Sequence, residues 1–254
     1  MLTPRPTQGD TQWFVRDRFG MFIHWGLYAL PARHEWVQSR EEISPEDYRA
    51  YFERFNPTQY DPAAWARMAR EAGMKYAVLT TKHHEGFCLW DSAFTNYKAT
   101  RTPWGKDLVR PFVEAFRAEG LRVGFYYSLL DWHHPDFPID IFHPLRNHPR
   151  AAEMNETRDV RRYAEYLRNQ VGELLTGYGP VDILWLDYSY PGREYKGLPG
   201  KGRADWESEK LLALVRELCP RIMLNNRLDL PSAADFYTPE QVQPLEWVKV
   251  DGEP

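Results

Sequence analysis

The chain has 254 residues and a formal net charge of −4, with 32 basic and 36 acidic side chains spread along its length. That gives no basic stripe for nucleic acid, no apolar run near the ~18 residues of a membrane span, and chain enough for one large domain with a sizeable core. The two cysteines, Cys88 and Cys219, lie far apart without CxxC spacing, so neither a zinc knuckle nor a redox pair is indicated.

Residues 1–12 read as a flexible lead, polar and Pro-rich, without the apolar core of a secretory signal. The expected location is therefore cytoplasmic, with periplasmic or secreted forms left open, and the folded unit is expected over 13–254. The run Phe19-Gly20-Met21-Phe22-Ile23-His24-Trp25-Gly26 predicts a first strand ending in His-Trp-Gly. Residues 27–60 mix loops with a short helix near 45–55. Asp61-Pro62 then supplies an N-cap and a first-turn proline, Trp65, Met68, Ala69 and Ala72 recur at helical spacing, and Gly73 closes the helix.

Residues 75–80 predict the second strand, which runs into Thr81-Lys82-His83-His84-Glu85-Gly86-Phe87. Asp107 caps a helix whose apolar face carries Leu108, Phe112, Val113 and Phe116 before Gly120, and 122–128 is the third strand. The segment 129–155 is long and irregular, more in keeping with a functional loop than a linker. A helix over 157–176 precedes Val181-Asp182-Ile183-Leu184-Trp185-Leu186-Asp187-Tyr188, an apolar run suited to a strand covered on both faces and ending in an acid. The Gly/Pro/Lys-rich loop 191–202 lacks the Gly-Lys-Ser/Thr of a phosphate loop. A helix over 205–218 and a fifth strand over 222–227 follow.

Repeated strand–helix alternation means an α/β fold with a parallel sheet. A (β/α)8-like barrel is favoured over an open sheet because each strand ends in large polar or aromatic groups, and no GxGxxG follows the first strand. The strand ends deliver His24 and Trp25, then His83 and His84, then Tyr126, Tyr127 and Asp131, then Trp185 and Asp187, then Asn225, Asn226 and Arg227. Five polar ends in succession are hard to explain by packing alone. His24, His83, His84 and Asp187 could ligate a metal, but adjacent residues on a strand point to opposite faces. Neutral donors to substrate hydroxyls are the preferred reading, and structural histidines remain an alternative; His133 and His134 are expected at the surface. Trp25, Trp36, Trp90, Trp132 and Trp185 either wall a pocket or fill the core. Asp187 reads as a nucleophile, a metal ligand or an ion-pair partner of Arg227.

These motifs resemble the α-L-fucosidases of glycoside hydrolase family 29. The residues that carry the likeness are Arg18 to Gly26, His34-Glu35-Trp36, Thr80 to Phe87, Phe125-Tyr126-Tyr127-Ser128 with Asp131-Trp132, Leu184-Trp185-Leu186-Asp187, Asn226-Arg227 and Tyr237-Thr238-Pro239-Glu240. The resemblance implies a barrel-type catalytic domain, often followed by a β-sandwich, that hydrolyses α-L-fucosides with retention and uses no metal or other cofactor. It implies Asp187 as nucleophile and His24, Glu35, Trp36, His83, His84, Tyr126, Trp185 and Arg227 as the lining of the fucose pocket. Glu240 is the expected acid/base, with Glu35 the competing candidate. The expected partner is a fucosylated oligosaccharide or glycoconjugate, without nucleic acid or membrane, and homo-oligomerisation is left open. Because the sequence reaches Pro254 before the family's last strands and sandwich, an incomplete barrel of about five to six strands is expected. A metal-dependent barrel hydrolase and an inactive fucose-binding fragment are the alternatives.

Overall fold

The computed structural model describes residues 7–239. Its centre is a parallel sheet of five strands: β1 (Gly20–Ile23), β2 (Tyr76–Lys82), β3 (Arg122–Ser128), β4 (Ile183–Asp187) and β5 (Met223–Leu224). Spatial order equals chain order. A doubly wound sheet reverses its order at a switch point and this one never does, so the architecture is that of a partial (β/α)8 barrel. A two-residue antiparallel ribbon, Glu194–Tyr195 with Leu198–Pro199, decorates the loop after β4.

The connecting helices start where short acids or serine satisfy their first amides. Ser44 accepts from Asp47 at the head of α2 (Pro45–Arg54), Asp61 from Ala64 at α3 (Pro62–Glu71), and Asp159 from Arg161 at α5 (Val160–Gly177). The helix α4 (Val109–Ala118) begins beside Asp107, whose Oδ1 accepts the amides of Val109 and Arg110. α1 (Gln12–Asp17) and α6 (Ser208–Leu218) complete the set used below.

The two faces of the sheet divide the core, as period-two alternation requires. Ala77, Leu79, Val123, Phe125, Tyr127, Leu184, Leu186 and Leu224 pack with the apolar faces of the helices. There Phe112 and Phe116 are fully buried with rings 4.4 Å apart, and each such side chain contributes about 1.5–3 kcal/mol by leaving water. Val78, Tyr126, Ile183 and Met223 lie on the other face with Trp13 of α1.

Two strands are shorter than the sequence predicts, for one reason. β1 stops at Ile23 because the Thr80 hydroxyl takes over from the ladder, accepting the Trp25 amide at 2.8 Å and lying 2.9 Å from the Trp25 carbonyl oxygen. β5 stops at Leu224 because the Asn225 side chain replaces the next backbone partners, accepting from Leu186 N at 3.1 Å and donating to Leu186 O at 2.7 Å. The expected helix over 205–218 is two pieces, Arg203–Trp206 and α6, broken at Glu207 with φ 48°. Part of the expected N-terminal lead is anchored: Gly9 N donates to Asp235 Oδ1 at 2.7 Å and Asp10 N to Arg221 O at 3.0 Å.

Candidate active site

Asp187 is the last residue of β4 and shares a face with Trp185 and with Tyr126 of β3. The Tyr126 hydroxyl donates to Asp187 Oδ2 at 2.8 Å. The Arg227 guanidinium, in the turn after β5, stands 3.8 Å from Oδ1, an ion pair at longer range than a hydrogen bond. Arg227 is itself held by Thr238, donating through Nε to Oγ1 at 2.9 Å and through Nη2 to the carbonyl at 3.0 Å. Asp187 thus has a hydrogen-bond donor on one oxygen and a positive charge beside the other.

His24 reaches the same place because the chain turns out of β1 after Ile23. Its ring lies 5.6 Å from Tyr126 and 5.4 Å from His83. Phe22, two residues earlier, sets its edge against Trp185 at 5.1 Å. The adjacent His83 and His84 both enter the cluster, which strand alternation would forbid. β2 has ended at Lys82 and its register against β3 slips between Thr80 and Lys82, freeing both rings to turn the same way. His83 stacks on Tyr126 at 5.6 Å; His84 Nδ1 is 2.7 Å from Ser128 Oγ and its ring meets Trp36 at 4.7 Å.

Burial holds both histidines well below the ordinary imidazole range, reinforced for His83 by His84 and His24 and for His84 by His24 and Lys82. Both are neutral at pH 7, so each ring offers one donor and one acceptor. Tyr188 follows with φ 87°, a strained backbone for a bulky residue. Its ring packs against Trp36 at 5.3 Å and His84 at 5.4 Å, completing an aromatic wall.

Beneath the histidines the loops after β2 and β3 are bolted together. Lys82 and Asp131, both buried, form an ion pair at 3.1 Å, and the ammonium sits 4.3 Å from the Tyr127 ring centre. Asp131 Oδ1 also accepts the amides of His133 and His134, and Trp132 N donates to His84 O at 2.8 Å. Burial opposes ionisation of Asp131, but Lys82, His134 and His133 outweigh it and hold the carboxyl below its usual range.

Of the residues expected at the site, His24, Trp36, His83, His84, Tyr126, Trp185, Asp187 and Arg227 form one continuous set of contacts. Glu35 is partly buried next to Trp36, and its charge adds to the upward push on the Tyr28 hydroxyl, which burial and Glu85 dominate. Glu240 lies outside the described residues. The tryptophans divide: Trp36 and Trp185 belong to the site, Trp90 and Trp132 are core, and Trp25 packs on the helix side against Phe55, Tyr60 and Trp65. His133 is exposed and stacks on Tyr97, whereas His134 is half-buried against Tyr163 and Tyr166. Among the described residues no three His, Cys, Asp or Glu side chains converge in a way that could hold a metal ion. No helix among them is long and apolar enough to cross a membrane.

Sequence reasoning gave no role to Tyr28 or Tyr188, and named Thr80, Glu85 and Ser128 only as motif residues; Tyr28, Ser128 and Tyr188 contact the histidine rings directly. Ser128 and Tyr188 stand at or just past the ends of β3 and β4, the one signal that points to them. Two concavities lie away from this cluster. One, of about 450 Å³, is at the opposite end of the strands between Trp13, Arg122, Asp182 and Arg221; the other, of about 350 Å³, lies between α2 and His133.

A sequence profile of the alpha-L-fucosidase family matches residues 5–251. The tissue alpha-L-fucosidase of Rattus norvegicus is 36% identical over 236 residues, covering 85% of this chain and 46% of the rat protein. Alpha-L-fucosidase isoenzyme 1 from Paenibacillus thiaminolyticus superposes with a TM-score of 0.86 at 52% identity, over 96% of this chain and 58% of the other. A GH29 alpha-L-fucosidase from Bacteroides thetaiotaomicron, trapped as a covalent intermediate with 2-fluoro-fucosyl fluoride in a glutamate-to-glutamine mutant, superposes at 0.73 and 33% identity, over 89% and 51%. The chain spans about half the length of these relatives.

Proposed function

The chain belongs to the alpha-L-fucosidase family, and from that premise we propose that it carries a retaining α-L-fucosidase site with an aspartate nucleophile and a glutamate acid/base, acting on terminal fucosyl residues of oligosaccharides or glycoconjugates. Asp187 attacks C1 of the fucoside, the bond to the leaving oxygen breaks, and a fucosyl ester of Asp187 forms; water then cleaves the ester with net retention. The observation that carries this reading is Asp187 itself, a carboxylate at the C-terminal end of a barrel strand with Tyr126 on one oxygen and Arg227 beside the other.

The acid/base must donate a proton to the leaving oxygen and later take one from water, from a carboxyl about 5–5.5 Å from the nucleophile. We assign that role to Glu240. It follows two residues after Thr238, the residue that holds Arg227 beside Asp187. The glutamate replaced in the trapped Bacteroides enzyme supports a glutamate as second carboxyl. Glu35 is the competing candidate. His24, His83 and His84 hydrogen-bond sugar hydroxyls, and a sugar lacking those hydroxyls leaves buried polar groups unpaired. Trp36, Trp185 and Tyr188 supply apolar faces for the ring and its C5 methyl.

The test is turnover of 4-nitrophenyl α-L-fucoside with and without EDTA, followed by azide rescue. Asp187→Gly is expected to lose turnover, and azide to yield β-fucosyl azide; Glu240→Ala with azide is expected to yield the α-azide. Fucose binding without turnover, chelator-sensitive activity, or an α-azide from Asp187→Gly would each overturn the assignment.

A further inference from the structure

His83 and Glu85 face each other across the turn after β2, both enclosed by protein. His83 Nδ1 and Glu85 Oε2 are 3.9 Å apart, and neither atom has a hydrogen-bond partner. Buried polar atoms left in that state are costly, and two of them side by side point to each other. The other carboxyl oxygen of Glu85, Oε1, accepts the Leu27 amide at 3.2 Å. That contact needs a glycine at position 26, since a Cβ there would lie 2.5 Å from Oε1. The carboxyl is therefore clamped at one oxygen and faces the imidazole with the other. The last torsion of a glutamate and the ring torsion of a histidine are both broad, so the two side chains can adjust together to bring these atoms to hydrogen-bond length.

Burial pushes the Glu85 carboxyl well above its ordinary range, and the Leu27 amide only partly opposes this. Burial likewise holds His83 neutral. A neutral carboxyl has one O–H. Oε1 is already accepting, which places the carboxyl proton on Oε2, and a ring nitrogen that accepts it relieves both atoms at once.

We propose that Glu85 is a positioning residue: through Oε2 it donates to His83 Nδ1 and fixes His83 as the Nε2–H tautomer. His83 then presents a donor to its surroundings. What that donor meets, an oxygen of a sugar hydroxyl, rests on the fucosidase reading; the tautomer does not.

The experiment reads the ring ¹⁵N shifts of His83, identified by their loss in His83→Gln, in the full chain and in two Glu85 variants. Wild type and Glu85→Gln are expected to show protonated Nε2, because a glutamine amide can accept from Leu27 and donate to Nδ1. Glu85→Met removes the donor without leaving a buried charge, its fold is checked by circular dichroism beside Glu85→Gln, and the tautomers are expected to mix. In parallel, kcat/KM on an aryl α-L-fucoside stays within about threefold for Glu85→Gln and falls about tenfold or more for Glu85→Met. A protonated Nδ1 in wild type, or an unchanged tautomer in Glu85→Met, overturns the proposal. Absence of turnover in wild type would count against the fucosidase reading alone, since the ¹⁵N shifts decide the tautomer without it.

Discussion

Replacing Lys82 by methionine keeps the length and apolar stem of the side chain and deletes its charge. The ammonium is fully buried, 3.1 Å from Asp131. Without it Asp131 keeps the two backbone amides of His133 and His134 but loses its buried counter-charge. Breaking a buried pair in this way costs about 3–5 kcal/mol, which in a protein of this size lowers Tm by roughly 6–20 °C. The pH dependence fixes the cause. Asp131 is held below its usual range in the folded protein, so it binds fewer protons folded than unfolded. The pair therefore stabilises above the ordinary carboxylate range, and its contribution fades as pH falls through the folded value. The deficit of Lys82→Met should accordingly shrink in acid, and Lys82→Met with Asp131→Asn should recover at least half of it at pH 7. Thermal unfolding by circular dichroism from about pH 2 to 8, a range that passes below the ordinary carboxylate value, measures all three. A deficit within about 1 kcal/mol at pH 7, or one that persists unchanged into acid, would refute the reasoning.

Tyr126→Phe removes the hydrogen bond to Asp187 Oδ2; kcat/KM on an aryl fucoside should fall about tenfold to hundredfold with Tm little changed, since a bond to a charged group is worth about 1.5–3 kcal/mol. Gly86→Ala should destabilise strongly in a denaturant titration: Gly86 has φ +80°, and a Cβ there would lie 2.1 Å from Asp131 Oδ1. Asp140 titrates with the opposite sign to Asp131. Burial, set against hydrogen bonds from Tyr190 and the Phe142 and His143 amides, raises it from 3.8 to about 6. Stability should fall as pH rises through that window, and Asp140→Asn should flatten the fall.

Much of the fold is written locally. Asp61, Asp107 and Asp159 mark helix starts, apolar runs mark β2, β3 and β4, and the acid ending β4 points to the candidate site. The parts that sequence does not yield depend on side chains meeting across long separations. β1 and β5 end early because Thr80 and Asn225 substitute for backbone partners 55 and 39 residues away. The roles of the tryptophans depend on which side of the sheet each loop turns to: Trp25 goes to the helices and Trp36 to the histidines. His83 and His84 share a site only because β2 slips register and stops at Lys82. The Lys82–Asp131 pair joins two loops that look unrelated in sequence, and the Glu85 carboxyl gains meaning only with Leu27 and His83 around it.

The central claim is that Asp187 forms the covalent bond. Incubation of the chain with 2-fluoro-fucosyl fluoride, proteolysis and mass spectrometry test it directly. The expected result is a single fluorofucosyl adduct on the peptide containing Asp187, absent from Asp187→Asn. An adduct on another residue, or turnover of an aryl fucoside with no adduct at Asp187, would contradict it.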